Sequence, residues 1–341
     1  MRLGPEPVPD TRHRESVSVV ICAYTTDRWP DLVEAVRSVE EQSAAALETI
    51  VVVDHQPELL VRVRRELRGV TAIPNDEQRG LSGARNSGVR RAGGSIVAFL
   101  DDDARADADW LAELLGAYAH SDALGVGGTI EADWLQGRPG WFPAEFDWVV
   151  GCSYRGLPET TTNVRNLIGA NMSLRREVFE LVGGFSADIG RVGTLPVGCE
   201  ETELCIRLRQ RRPGATTLLE QRARVQHRVP AGRSRWRYFR RRCFAEGRSK
   251  AILARQLGAD DALSAERSYV ARTLPQGVAR GVADAVLRRD PAGAQRALAI
   301  VAGLVMTAAG YIAGRVRAPP GGQLAAARVR DRRPRRRAGA P

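Results

Sequence analysis

The chain has 341 residues, 43% hydrophobic and 27% charged, with a formal net charge of +11. The length allows about two domains and the composition excludes a disordered or fibrous chain. From Arg315 onward nine arginines face a single aspartate, a local +8, so everything before carries only +3 and no nucleic-acid-binding core is required.

Residues 1–16 are polar and proline-bearing, which predicts a disordered N-terminus over 1–15, no secretory leader and a cytoplasmic protein. The five cysteines (22, 152, 199, 205, 243) are scattered without a CxxC, so they read as reduced, packed thiols. "VSVVICAY" (17–24), "ETIVVVD" (48–54) and "SIVAFLD" (95–101) are apolar, β-branched runs, each ending on a polar residue. Between them Pro30–Gln42, Pro57–Leu67 and Leu81–Ala92 have helical periodicity, with proline at the opening position of two. Strands that alternate with helices and lack period-two polarity predict a mainly parallel sheet covered on both faces. Ligands of such sheets bind beyond the carboxyl ends of the strands, where Tyr24, Asp54 and Asp101–Asp103 all fall.

A further strand over 124–130 precedes an aromatic stretch with Trp134, Trp141, Phe142, Phe146 and Trp148, whose Pro and Gly predict an irregular flap lining the acceptor side. Helices over Arg175–Leu181 and Glu200–Arg211 and two short strands, "ATTLL" and "ARVQH", complete a domain spanning 16–232. The remainder, 233–314, reads as a helical region. Residues 233–250 interleave four aromatics with eight Arg or Lys, which suits either an anionic membrane surface or a core-docked helix with a solvated basic face. The 18 uncharged residues 297–314 only just reach across a bilayer core of roughly 30 Å. The basic tail, 315–341, reads as disordered.

The three consecutive carboxylates Asp101, Asp102 and Asp103 admit two readings: a solvated turn in which one Asp caps the next helix, or a site for Mg²⁺ or Mn²⁺. The blocks around them decide. "VSVVICAYTTDRWPDLVEAVRSVEEQ", "IVVVDHQP", "NDEQRGLSGARNSGVRRAGGSIVAFLDDDA", "GANMSLRREVFELVGGF" and "GCEETELCIRLRQ" stand in the order and spacing of inverting family-2 glycosyltransferases of the GT-A fold, which the chain resembles over about 16–235. The stretch after "GGF" is most similar to enzymes that transfer a hexose or hexuronate to a polyprenyl-type lipid.

The resemblance implies an α/β GT-A domain with a helical C-terminal extension and a donor that is a nucleoside-diphosphate sugar, UDP-linked by preference. The departing diphosphate gains negative charge, which a divalent cation relieves as a Lewis acid. Asp103 would ligate it directly, Asp101 would reach the ribose or the metal, and Asp102 would support the ligand or cap a helix. The nucleoside base would lie near Ala23, Tyr24 and Thr25, with Asp54 pairing to uracil, although His55 stands where relatives often carry a second Asp. Gly80 and Gly83 would permit close backbone approach at a helix N-terminus, with Arg85 on the diphosphate. Inversion needs a base on the face opposite the leaving group. Glu201 is expected in that role with Glu200 competing, while "EETE" taken alone could be charge complementing a helix dipole. His227 would be a third metal ligand.

Two rivals are weighed. A nucleotidyltransferase would carry a Gly-rich loop after its first strand, which "AYTTDRWP" lacks. A non-catalytic nucleic-acid binder is the reading from charge alone; the resemblance implies no specific nucleic acid. The expected setting is the inner face of the cell membrane, with a glycan or polyprenyl-linked acceptor and an anionic lipid surface as partners.

Overall fold

Apolar residues that alternate along the first strands are buried on both faces because helices pack against each side. The computed structural model describes residues 15–316 apart from 188 and 190–197. The expected disordered ends lie almost wholly outside the described residues.

In chain order the first elements are β1 (Val17–Ala23), α1 (Trp29–Glu40), β2 (Glu48–Val53), α2 (Pro57–Glu66), β3 (Val70–Pro74), α3 (Leu81–Arg91) and β4 (Ile96–Asp101). Val19 and Ile21 of β1 share a core with Leu32, Ala35, Val36 and Val39 of α1 and with Leu59 and Val63 of α2. Val20, on the other face, joins Ile50, Phe99 and Ala84 of α3. The i, i+3, i+4, i+7 spacing on α1 is what its sequence pattern predicts, and each fully buried aliphatic side chain contributes about 1.5–3 kcal/mol.

The chain continues through β5 (Ala104–Ala106), α4 (Trp110–Ala119), β6 (Gly125–Trp134), β7 (Thr162–Asn163), β8 (Asn171–Arg175), α5 (Arg176–Val182), α6 (Glu200–Arg211) and β9 (Thr217–Val229). The sheet order is β3-β2-β1-β4-β8-β6-β9-β5, with β7 on β9. β3, β2, β1 and β4 are mutually parallel. Beyond them β8 runs antiparallel to both β4 and β6, so the sheet is mixed and the parallel expectation holds for one half. The reason is physical: an apolar run reports burial on two faces and carries no information on direction. The two short strands expected near the end of the domain are one, β9, whose register with β6 shifts at Gly128/Thr129.

The aromatic stretch differs from its expectation. Phe142 and Phe146 are buried, and both rings pack on Phe239 at 5.4 and 5.3 Å between centroids. These residues form core rather than a flap, and they join the sheet to the helices that follow: α7 (Trp236–Leu257), α8 (Ala259–Ala262), α9 (Ser264–Ser268), α10 (Leu274–Leu287) and α11 (Pro291–Val316). Helix α11 lies against α7 so closely that a Cβ at Gly310 would stand 2.0 Å from the Phe244 carbonyl oxygen.

Candidate active site

The register of β1 against its neighbours, Ala23 opposite Val53 and Cys22 opposite Asp101, brings three strand ends to one edge. Tyr24 and Thr25, Asp54, and Asp102 with Asp103 leave that edge together. This is the geometric answer to why a buried strand runs into three carboxylates.

Asp101 is the most exposed of the three, while Asp102 and Asp103 are buried. Asp103 Oδ1 lies 3.1 Å from His227 Nε2. Its Oδ2 accepts from Arg233 at 3.1 Å and lies 3.2 Å from Arg28. Arg28 also donates to Asp102 Oδ1 at 2.8 Å, and Asp102 Oδ2 is a buried oxygen without a partner among the described residues. Burial alone would raise Asp103, but the His227 imidazole, Arg233 and Arg28 outweigh it and hold the carboxyl well below the ordinary range. Asp102 goes the other way: burial and the Asp103 charge push it up to about 7 against the pull of Arg28. Asp102 caps no helix; α4 begins at Trp110 after Asp109.

His227 is placed by the antiparallel pairing of β9 with β5, which sets it opposite Ala104. Asp101, Asp103 and His227 each offer one ligand atom, and the three atoms lie within 4.8 Å of one another. Two carboxylates and an imidazole, beside an unpartnered buried carboxylate oxygen, fit a divalent cation of the Mg²⁺ or Mn²⁺ kind.

Arg85 has another position than the one expected of a diphosphate contact. Its side chain is 2% exposed. It donates to Glu200 Oε1 at 2.8 Å and to the Gly169 carbonyl at 3.1 Å, and lies 3.5 Å from Asp101 Oδ1. The Phe99 and Phe185 rings hold the guanidinium at 5.8 and 5.5 Å. In this structure its guanidinium joins Glu200 to Asp101. Glu201, next along α6, has no such counter-ion, and burial together with the Glu200 charge pushes its carboxyl up to about 7 despite Arg85. A carboxyl poised there suits a general base.

Gly80 and Gly83 are likewise used internally. The Gly80 N–H donates to both oxygens of Asp54, at 3.1 and 3.3 Å. A Cβ at Gly83 would fall 2.0 Å from the Gln78 carbonyl oxygen. The anion at the start of α3 is therefore the Asp54 carboxylate, which also accepts from Asn75 at 2.7 Å and meets His55 Nδ1 at 2.9 Å. Ala23 is buried and its carbonyl accepts from the Asp54 N–H, while Tyr24 lies under the Arg28 guanidinium at 5.2 Å. Thr25 accepts from the Asp27 N–H in the turn that carries Arg28.

Arg28 and Arg233 were not read as site residues from the sequence. A signal was available: three adjacent carboxylates need counter-charge, and each arginine stands in a turn directly after a strand that reaches the edge.

The sequence profile described as Glycosyl transferase family 2 matches residues 18–183. The glucosyl-dolichyl phosphate glucuronosyltransferase of Haloferax volcanii is 38% identical over 241 residues, 70% of this chain and 77% of that protein. The chain belongs to glycosyl transferase family 2. Succinoglycan biosynthesis protein ExoM of Rhizobium meliloti is 26% identical over 242 residues, 68% of this chain and 73% of its own. Among solved structures, mannosyltransferase PcManGT from Pyrobaculum calidifontis, in complex with GDP-Man and Mn²⁺, superposes with a TM-score of 0.56 at 19% identity over 88% of this chain and 89% of that one. The GT-A fold expected from the motifs is borne out, and this glycosyltransferase is a hexosyl- or hexuronosyltransferase, which sets aside both rival readings.

Proposed function

We propose that this glycosyltransferase is a metal-dependent, inverting enzyme that moves a hexose or hexuronate from a nucleoside-diphosphate sugar to a lipid-linked acceptor of a cell-envelope glycan. The observation that carries the reading is the pairing of two unlike carboxylate sites: Asp101, Asp103 and His227 gathered to hold a divalent cation, and a half-buried Glu201 with a raised pKa, joined to them through Arg85 and Glu200. Bound there, Mg²⁺ or Mn²⁺ would stabilise the charge that develops on the diphosphate. Asp54, Ala23, Tyr24 and Thr25 take the nucleoside, and Glu201 takes the acceptor's proton. Residues 16–232 form the catalytic domain and 233–314 a helical region. The test is a thermal-shift panel of UDP, GDP, TDP and CDP with and without Mn²⁺, since a specific ligand stabilises by mass action. A Mn²⁺-dependent shift with UDP is expected; none with any nucleotide overturns the reading.

The lipid acceptor rests on the Haloferax volcanii relative, named for a dolichyl-linked substrate, and on the helical region. Helix α11 has an 18-residue window of mean hydropathy 1.9 of which only 28% is buried. Leu298, Val301, Val305 and Ile312, three, four and seven residues apart, are exposed along one face. Beside it α7 exposes Arg237, Arg241, Arg248 and Arg255, the last donating to the Gly314 carbonyl. An apolar strip alongside a basic strip fits a helix lying in the interface of an anionic bilayer, at the cytoplasmic face by the preference of basic residues for that side. Crossing the bilayer would draw the α7 arginines into hydrocarbon at several kcal/mol. Flotation with phosphatidylglycerol vesicles is expected to carry the full chain at low salt and release much of it at high salt. A protein left in the soluble fraction at low salt overturns the membrane reading.

A further inference from the structure

The carboxylates at the metal site are already engaged. Asp103 Oδ1 faces His227, and Asp103 Oδ2 is shared by Arg233 and Arg28. The two arginines come from separate elements: Arg28 ends the turn after β1, and Arg233 stands in the turn after β9, closed by its N–H donating to the Pro230 carbonyl. Both are shielded, with side chains 22% and 10% exposed, so their convergence on one carboxylate is a built arrangement. Two guanidinium groups supply the same charge as one divalent cation.

A cation ligated by Asp103 sits about 2.1 Å from a carboxylate oxygen, inside the position of a guanidinium nitrogen at about 3 Å. Ligand and hydrogen-bond donor then compete for the same lone pairs, and the positive charges repel at short range. The unpartnered Oδ2 of Asp102 shows that the arginines leave part of the cluster's acceptor capacity unused. We propose that Arg28 and Arg233 are displaceable counter-ions: they neutralise Asp102 and Asp103, yield those oxygens to the divalent cation, and turn to the donor's diphosphate, whose oxygens suit the guanidinium fork. This rests on the nucleotide-sugar reading above. A permanent structural clamp, the alternative, would lose stability on substitution and leave UDP affinity unchanged, because its guanidinium never reaches the diphosphate.

The two roles predict opposite signs in two titrations. Calorimetry of the full chain with MnCl₂ alone is expected to show R233Q and R28Q binding Mn²⁺ at least about tenfold more tightly than wild type, because a like charge is removed beside the cation. With Mn²⁺ saturating, UDP is expected to bind both variants about tenfold more weakly, and R233K, which keeps the charge and loses the fork, to bind Mn²⁺ like wild type and UDP with intermediate affinity. Circular dichroism verifies folding, and R28Q, at the more exposed position, carries the test if R233Q does not fold. Unchanged or weaker Mn²⁺ binding in the folded variants overturns the exchange. Failure of wild type to bind UDP or GDP in Mn²⁺ overturns the donor reading instead, so the two failures are distinguishable.

Discussion

Two clusters of neighbouring carboxylates occupy this molecule's active edge, and they differ in how many cations answer them. Asp102 and Asp103 meet two arginines, Arg28 and Arg233, and Asp103 also meets the His227 imidazole, which together hold its carboxyl well below the ordinary range. Glu200 and Glu201 share one arginine, Arg85, bonded to Glu200 alone, so Glu201 is left near 7. In the proposed roles a carboxylate that ligates a metal has to stay ionised at every working pH, while a base must be able to take a proton. The number of nearby guanidinium groups separates the two tasks.

The comparison breaks most visibly at Asp103. Asp103→Ala should abolish Mn²⁺-dependent nucleotide binding in calorimetry and lower transfer on the order of 10³-fold or more, the several kcal/mol a Lewis acid supplies. Glu201→Gln should keep that binding and lose about 10²–10⁴-fold in kcat. An active Glu201→Gln beside an inactive Glu200→Gln would reverse the assignment of the base.

Arg85→Met removes the cation that the two clusters share. Leaving Glu200 buried without a counter-ion should lower the unfolding free energy by about 3–5 kcal/mol in urea titration. The rate profile of any folded fraction should also move to higher pH, since Glu201 loses the Arg85 charge that favours its ionisation.

The smallest effect is in pH dependence. Glu201 in the folded chain holds a proton that an unfolded chain releases at the ordinary carboxyl value, so wild-type stability falls as pH rises from about 4.5 through about 7. Glu201→Gln removes that loss and should gain in Tm on wild type between pH 5 and pH 8. Transfer should fall as pH drops below about 7; a rate flat from pH 5 to 8 contradicts Glu201 as the base.

The helical region followed a different logic from the sheet. Its basic and aromatic residues left two readings open, and the burial pattern is that of a core-docked helix with a solvated basic face: Phe239 and Cys243 of α7 are buried, while Arg237, Arg241 and Arg248 are exposed. Composition counts residues on all faces of a helix at once.

By itself the sequence determined the class of fold, the strand ends that form the site and the identity of Asp103, Glu201 and His227 as candidates. Apolar periodicity and ordered motifs report local burial and residue type, which neighbouring positions encode. Tertiary structure alone decided which charges face one another. Arg85 and Gly80 look like donor contacts in "RGLSGARN", yet Arg85 is bound to Glu200 across 115 positions of sequence and Gly80 to Asp54. Arg28 and Arg233 are ordinary turn residues until the fold sets them against Asp103. An ionised group's role depends on the charges within a few ångströms of it, and that distance is set by packing between remote segments.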